Sequence, residues 1–138
     1  MNIVLDTNVL VSGILSPAGP PGRIVDALQT GKVVTVVDDR ILAEYSEVLL
    51  REKFSRWIAK WEAEAILQFL ESEGVSCVSH TVVTHLPDPS DAPFLEVAFQ
   101  SAAPLITGNN KHSPQDKRMD VDVLTPSEFC SSYLTNQT

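Results

Sequence analysis

The stretch "NIVLDTNVLVSGIL" (residues 2–15) decides how the rest of the chain reads. Ile3, Val4 and Leu5 make an apolar run of strand length. Asp6-Thr7-Asn8 interrupts it, and apolar spacing with a helical period resumes over residues 8–15. A strand that passes into a helix through an acid has two readings. Asp6 caps the helix and turns the backbone, or it stands at a strand end because something is held there.

Outward from this stretch the alternation of strand and helix repeats. "SPAGPPG" (residues 16–22) reads as a loop, because Pro17, Pro20 and Pro21 do not fit a helix interior. "RIVDALQTG" (23–31) has helical spacing with Gly31 as C-cap, and "KVVTVV" (32–37) is a β-branched, buried strand. Ile41, Leu42, Tyr45, Val48 and Leu49 form one stripe of a helix over residues 40–52, and a second helix over 61–73 ends at Gly74. Phe54, Trp57 and Trp61 then read as the core of this helical hairpin, with a dimer face as the alternative. "VSCVSHTVV" (75–83) alternates like a strand, 93–102 is helical, and "PLIT" (104–107) and "VDVL" (121–124) are further strands. Thr125, Pro126 and Glu128 spell a capping box at the start of a last helix. Residues 1–130 read as one domain, followed by a flexible C-terminal tail over 131–138. Strands that are buried rather than amphipathic, alternating with helices, predict an α/β fold with a central, mostly parallel sheet.

The net charge of −8 argues against broad coating of nucleic acid, though not against a nucleic-acid enzyme whose acidic site has a basic rim. Cys77 and Cys130 show no metal or redox spacing, so a reduced, cytoplasmic setting is expected. No apolar run is long enough for a membrane span, and the opening segment lacks the basic start of a signal peptide.

In a parallel sheet, ligands bind beyond the carboxyl ends of the strands. Asp6 and Asn8 follow the first strand, Gly108, Asn109 and Asn110 follow "PLIT", and Asp88 and Asp91 lead into the helix over 93–102. Glu44 lies at the border of the 40–52 stripe, where it can project along the sheet top, whereas Glu47 faces water. Singly, each has a local reading: Asp6 and Asp91 as caps, Asp88 as a turn residue, Glu44 as a helix acid. Jointly they deliver oxygen donors to one edge, as Mg2+ or Mn2+ requires.

These residues resemble the PIN-domain family of metal-dependent ribonucleases. The matching blocks, in order, are "LDTNVLVS", the glutamate of "ILAEYSEVL", "DPSDAPFLEVA", "PLITGNNKH" and "VLTPSEF". The nearest flavour is the branch of VapC-like toxins of toxin–antitoxin systems. The resemblance implies a three-layer α/β/α sandwich, with Asp6, Glu44 and Asp91 as the catalytic acids and metal ligands. It implies Asp88 as an extra metal acid and Asn8 and Thr107 as polar support. Asn109 departs from the pattern, since many PIN domains place a fourth acid there; its amide offers a carbonyl oxygen without charge. The activity implied is Mg2+- or Mn2+-dependent hydrolysis of RNA phosphodiesters. For such a substrate Lys111, His112 and the basic group of Arg51, Lys53, Arg56 and Lys60 are the candidate contacts to the RNA backbone, with an exposed loop histidine as the other reading of His112. The partners implied are RNA, a protein antitoxin and a second copy of the chain. The competing expectation is a catalytically weak or inactive PIN-like binding protein whose acidic pocket is filled by a protein partner. Haloacid-type phosphatase chemistry would want D-x-D where this chain has Asp6-Thr7-Asn8, and a receiver would want an acidic pair before its strand-end aspartate.

Overall fold

Asn2–Leu5 forms β1, and Ile3, Val4 and Leu5 are wholly buried. A computed structural model describes residues 1–80, 82–84, 86, 88–108 and 120–134 of the chain. After β1 come α1 (Thr7–Leu15), α2 (Pro20–Gln29), β2 (Val34–Val37), α3 (Asp39–Leu49), α4 (Lys60–Glu73), β3 (Val75–Ser76), α5 (Ala92–Ser101), β4 (Leu105–Ile106), β5 (Val123–Leu124) and α6 (Pro126–Phe129). Short 3-10 turns occupy Glu52–Phe54 and Pro89–Asp91.

The five strands form one sheet in the order β3-β2-β1-β4-β5, and every pairing is parallel. Asn2 pairs with Val34 on one side of β1, while Leu5 pairs with Ile106 on the other. The chain leaves β1 in one direction to build β2 and β3, then returns across it to build β4 and β5. The strand order therefore reverses between β1 and β4, and their carboxyl ends flank the crevice in which sheets of this kind bind ligands. Helices on both sides of the sheet complete the expected α/β/α layering. Leu10 and Ile14 of α1, Val25 of α2, and Ile66 and Phe69 of α4 line a common groove, while α5 packs on β1 and β2.

Local chemistry explains most element boundaries. Asp38 caps α3, its Oδ1 accepting from the Ile41 N–H at 2.9 Å. The capping box of α6 forms in both directions: Thr125 Oγ1 accepts from the Glu128 N–H at 3.1 Å, and Glu128 Oε1 accepts from the Thr125 N–H at 2.8 Å. Gly31, just past α2, has φ of +80°, which glycine adopts without a Cβ clash.

Several expectations need correction. Residues 20–22 are not loop: α2 begins at Pro20, because prolines in the first turn lose no hydrogen bond a helix would have used. The strand expected over 75–83 stops at Ser76. The Glu96 carboxylate, the Glu96 carbonyl and the Gln100 side chain of α5 accept from the Val83 N–H, the Ser79 hydroxyl and the His80 N–H at 2.9, 3.3 and 3.4 Å. Backbone donors that a ladder would need are thereby diverted to a helix. Trp57 and Trp61 are not hairpin core, being 64% and 72% exposed. Cys130–Leu134 continues α6 as a π-helical turn that buries Leu134, so residues 131–134 are helical, and residues 135–138 lie outside the described residues.

Candidate active site

Asp6 ends β1 while its backbone still belongs to the sheet. Its N–H donates to the Ile106 carbonyl at 2.9 Å, and its own carbonyl accepts from the Val9 and Leu10 N–H groups that open α1. Asp6 occupies the cap position of α1, yet its side chain makes no capping hydrogen bond. The carboxylate turns across the crevice instead: Thr107, the first residue after β4, donates its hydroxyl to Asp6 Oδ2 at 3.0 Å. Two strand ends 101 residues apart in sequence are thus joined at the point where the strand order reverses.

Glu44 approaches the same edge from the middle of α3. Its Oε2 accepts from the hydroxyl of Thr7, a buried residue on the first turn of α1. Burial pushes the Glu44 carboxyl above its ordinary range. The Thr7 hydrogen bond opposes that shift, while the negative charges of Asp6, Glu47 and Asp88 add to it. Glu44 therefore shares a field with Asp6 and Asp88, although they come from three separate segments. Beneath them lies Tyr45, wholly buried, whose hydroxyl donates to the Leu5 carbonyl at 2.5 Å. Burial and the charges of Asp6 and Glu44 push this phenol far above its ordinary pKa, so it remains a donor.

Asp88 and Asp91 belong to the turn that starts α5. Asp88 Oδ1 accepts from the Ser90 N–H at 3.0 Å and from the Ser90 hydroxyl at 2.7 Å. Asp91, like Asp6, stands at a cap position without a side-chain capping bond, and its Oδ2 is shut off from solvent. Asn8 is exposed on the first turn of α1, and Arg51 pairs with Glu47 on the surface at 3.0 Å. Asn109, Lys111 and His112 lie outside the described residues.

Among the described residues, no three His, Cys, Asp or Glu side chains converge closely enough to cage an ion by themselves. The donor set still fits one chemically. Asp6, Glu44, Asp88 and Asp91 offer only oxygen, which suits a hard divalent cation that keeps several of its waters. Burial is the main cause of the raised Glu44 carboxyl, and such a cation would offset the further contribution of the Asp6 and Asp88 charges.

Sequence reading passed over Thr7 and the Tyr45 hydroxyl. Thr7 lay inside the quoted "DTN", and a buried hydroxyl must find a partner, which was the available signal. Tyr45 read as one residue of an apolar stripe; its burial followed from that, and its polar tip did not.

The PIN-domain family profile matches residues 2–111. The chain belongs to the PIN-domain family. An uncharacterized protein of Methanocaldococcus jannaschii is 29% identical over 143 aligned positions, covering 96% of this chain and 92% of its own length. VapBC2 from Rickettsia felis, solved bound to a DNA fragment from its promoter, superposes with a TM-score of 0.57 at 17% identity. That superposition covers 91% of this chain and 98% of the other. FitAcB from Neisseria gonorrhoeae gives 0.59 at 18% identity, covering 92% and 99%. At such identities the two structures share the fold. PIN domains are in general nucleases, and in general they use divalent metal ions. No helix among the described residues of this PIN domain is long and apolar enough to cross a membrane.

Proposed function

We propose that this PIN domain is a Mg2+- or Mn2+-dependent endoribonuclease, acting in the cytoplasm as the toxin of a toxin–antitoxin pair. One observation carries the reading. Asp6 and Asp91 occupy helix-cap positions without capping, and Asp6 is held across the crevice by Thr107, beside a Glu44 that feels its charge. Asp6 and Asp91 would hold the ion directly, Asp88 from the adjoining turn, and Glu44 through a water. A bound divalent ion would lower the pKa of that water and offset charge on the phosphate.

The remaining roles belong to the chain. The Thr107 hydroxyl fixes the orientation of the Asp6 carboxylate, and Thr7 fixes that of Glu44. A carboxylate so held can take a proton from the attacking water. Asn8 adds polar support, Asn109 offers a carbonyl oxygen, and Lys111, His112 and Arg51 are the candidate contacts to the RNA backbone. A protein antitoxin and a second copy of the chain are the partners of this reading.

Cleavage of single-stranded RNA with Mn2+, and its loss on adding chelator, tests the proposal. Asp6→Asn and Asp91→Asn should each abolish cleavage while the fold is retained. Activity that survives both substitutions would sink it. Asn109, standing where many relatives carry an acid, favours a second reading as a binding protein whose acidic pocket takes a partner's Arg or Lys. Absence of Mn2+ binding at millimolar concentration would support that reading.

A further inference from the structure

We propose that residues 51–61, running from just past α3 into the first turn of α4, form a stacking platform for single-stranded RNA, with Trp57 and Trp61 as the base-stacking faces. For its substrate class this rests on the ribonuclease reading. In a chain of net charge −8, these eleven residues hold Arg51, Lys53, Arg56 and Lys60 against a single acid, Glu52, a local charge of +3. Trp57 and Trp61 are the most exposed aromatic side chains among the described residues, at 64% and 72%.

The segment is built, not frayed. Ile58 is buried and Phe54 packs against the core, while the Trp57 and Ile58 N–H groups both donate to the Phe54 carbonyl at 2.9 Å. Glu62 Oε1 accepts from the Ala59 N–H at 3.1 Å and closes the start of α4. Two inward side chains thus hold two tryptophans outward, and the Arg56 guanidinium lies 5.8 Å from the Trp57 ring. Flat aromatic faces among cations suit a flexible polyanion whose bases stack while its phosphates are neutralised. Lysine, by contrast, is depleted in the cores of protein interfaces, and two of the four cations here are lysines.

The platform also has a place relative to the acids. Arg51, two residues past the end of α3, pairs at 3.0 Å with Glu47, which lies one helical turn from Glu44.

Trp57 and Trp61 are the two tryptophans of the chain, so its tryptophan emission reports on this platform alone. The test adds an oligouridylate to the Asp6→Asn protein in chelator, where binding is separated from cleavage. Saturable, salt-dependent quenching is expected. Trp57→Ala and Trp61→Ala should each weaken the affinity, read by anisotropy of a labelled oligouridylate, by roughly five- to a hundredfold, and Trp61→Phe should recover most of it. The exposed pair Lys53→Ala with Arg56→Ala should flatten the slope of log affinity against log salt by about 1.4.

Unchanged emission at saturating RNA, or affinities within twofold of the parent, overturns the platform. So does an emission change that follows protein concentration without RNA, with a doubling of mass by light scattering, since the face would then be a self-association surface. RNA cleavage by the wild-type chain with KM unmoved by the tryptophan substitutions overturns the platform and leaves the nuclease. Quenching without any cleavage does the reverse.

Discussion

Tyr45→Phe removes one oxygen from the middle of the protein and nothing else. The ring stays, so no sizeable cavity opens, and the contact with Phe94, at 6.4 Å between centroids, is kept. What is lost is the donor to the Leu5 carbonyl, one residue before Asp6. Both Tyr45 and Leu5 are wholly buried, so no bulk water replaces it. Leaving a buried carbonyl short of its donor costs about 1–3 kcal/mol. Unfolding entropies of about 2.1 cal/mol/K per residue, over 138 residues, make each kcal/mol equal to about 3–4 °C. Calorimetry should therefore find Tm lower by about 3–10 °C at neutral pH.

The sign with pH follows from the raised phenol. A group that stays protonated in the fold but has its ordinary pKa of 10.0 when unfolded contributes stability fully below that value and loses it as pH rises beyond. The wild-type Tm should fall on the alkaline side, and the gap to Tyr45→Phe should narrow there. A Tyr45→Phe protein that melts within about 1 °C of the wild type at neutral pH would refute the argument that this hydroxyl fixes the end of β1.

Three further outcomes are expected. In metal-free buffer, Glu44→Gln should raise Tm at pH 7, because the Glu44 carboxyl is raised in the fold and its ionisation opposes folding. That gain should vanish below about pH 4.5, the unfolded value; a gain that persists in acid would contradict the electrostatic cause. Gly22→Ala puts a Cβ 2.0 Å from the Pro17 carbonyl oxygen, a backbone atom with little room to yield, so the urea midpoint should fall by the equivalent of about 1–3 kcal/mol. Arg40→Met removes the guanidinium that binds Glu96 at 2.7 Å, leaving a buried carboxylate; limited proteolysis should then cut more readily near residues 79–83, and adding Glu96→Gln should restore resistance.

Much of the architecture could be read from local chemistry. Apolar runs that stop at an acid gave β1 and its exit, and the capping box at Thr125 and Glu128 survives atom for atom. What escaped depended on tertiary partners. Nothing within "VSCVSHTVV" says that Glu96 and Gln100, two helix residues, will take its hydrogen bonds. Nothing in the spacing of Trp57 and Trp61 says that Phe54 and Ile58 will fill the core in their place. At the site, the strand-end rule brought out Asp6, and the family resemblance added Thr107, whose side chain meets it. The Thr7–Glu44 contact joins two helices across 37 residues and has no local signature.

The 3.0 Å bond from Thr107 to Asp6 also sets a schedule. β1 is made before the four strands it joins and occupies the middle of the sheet, with β2 on one flank and β4 on the other. At ribosomal rates of about 5–20 residues per second, the 101 residues that separate the bonded pair take roughly 5–20 s to make. Throughout that interval the nascent chain holds Asp6 without the neighbour that orients it. The Asp6 side of the crevice is therefore completed only after Thr107 has been made and β4 has docked beside β1.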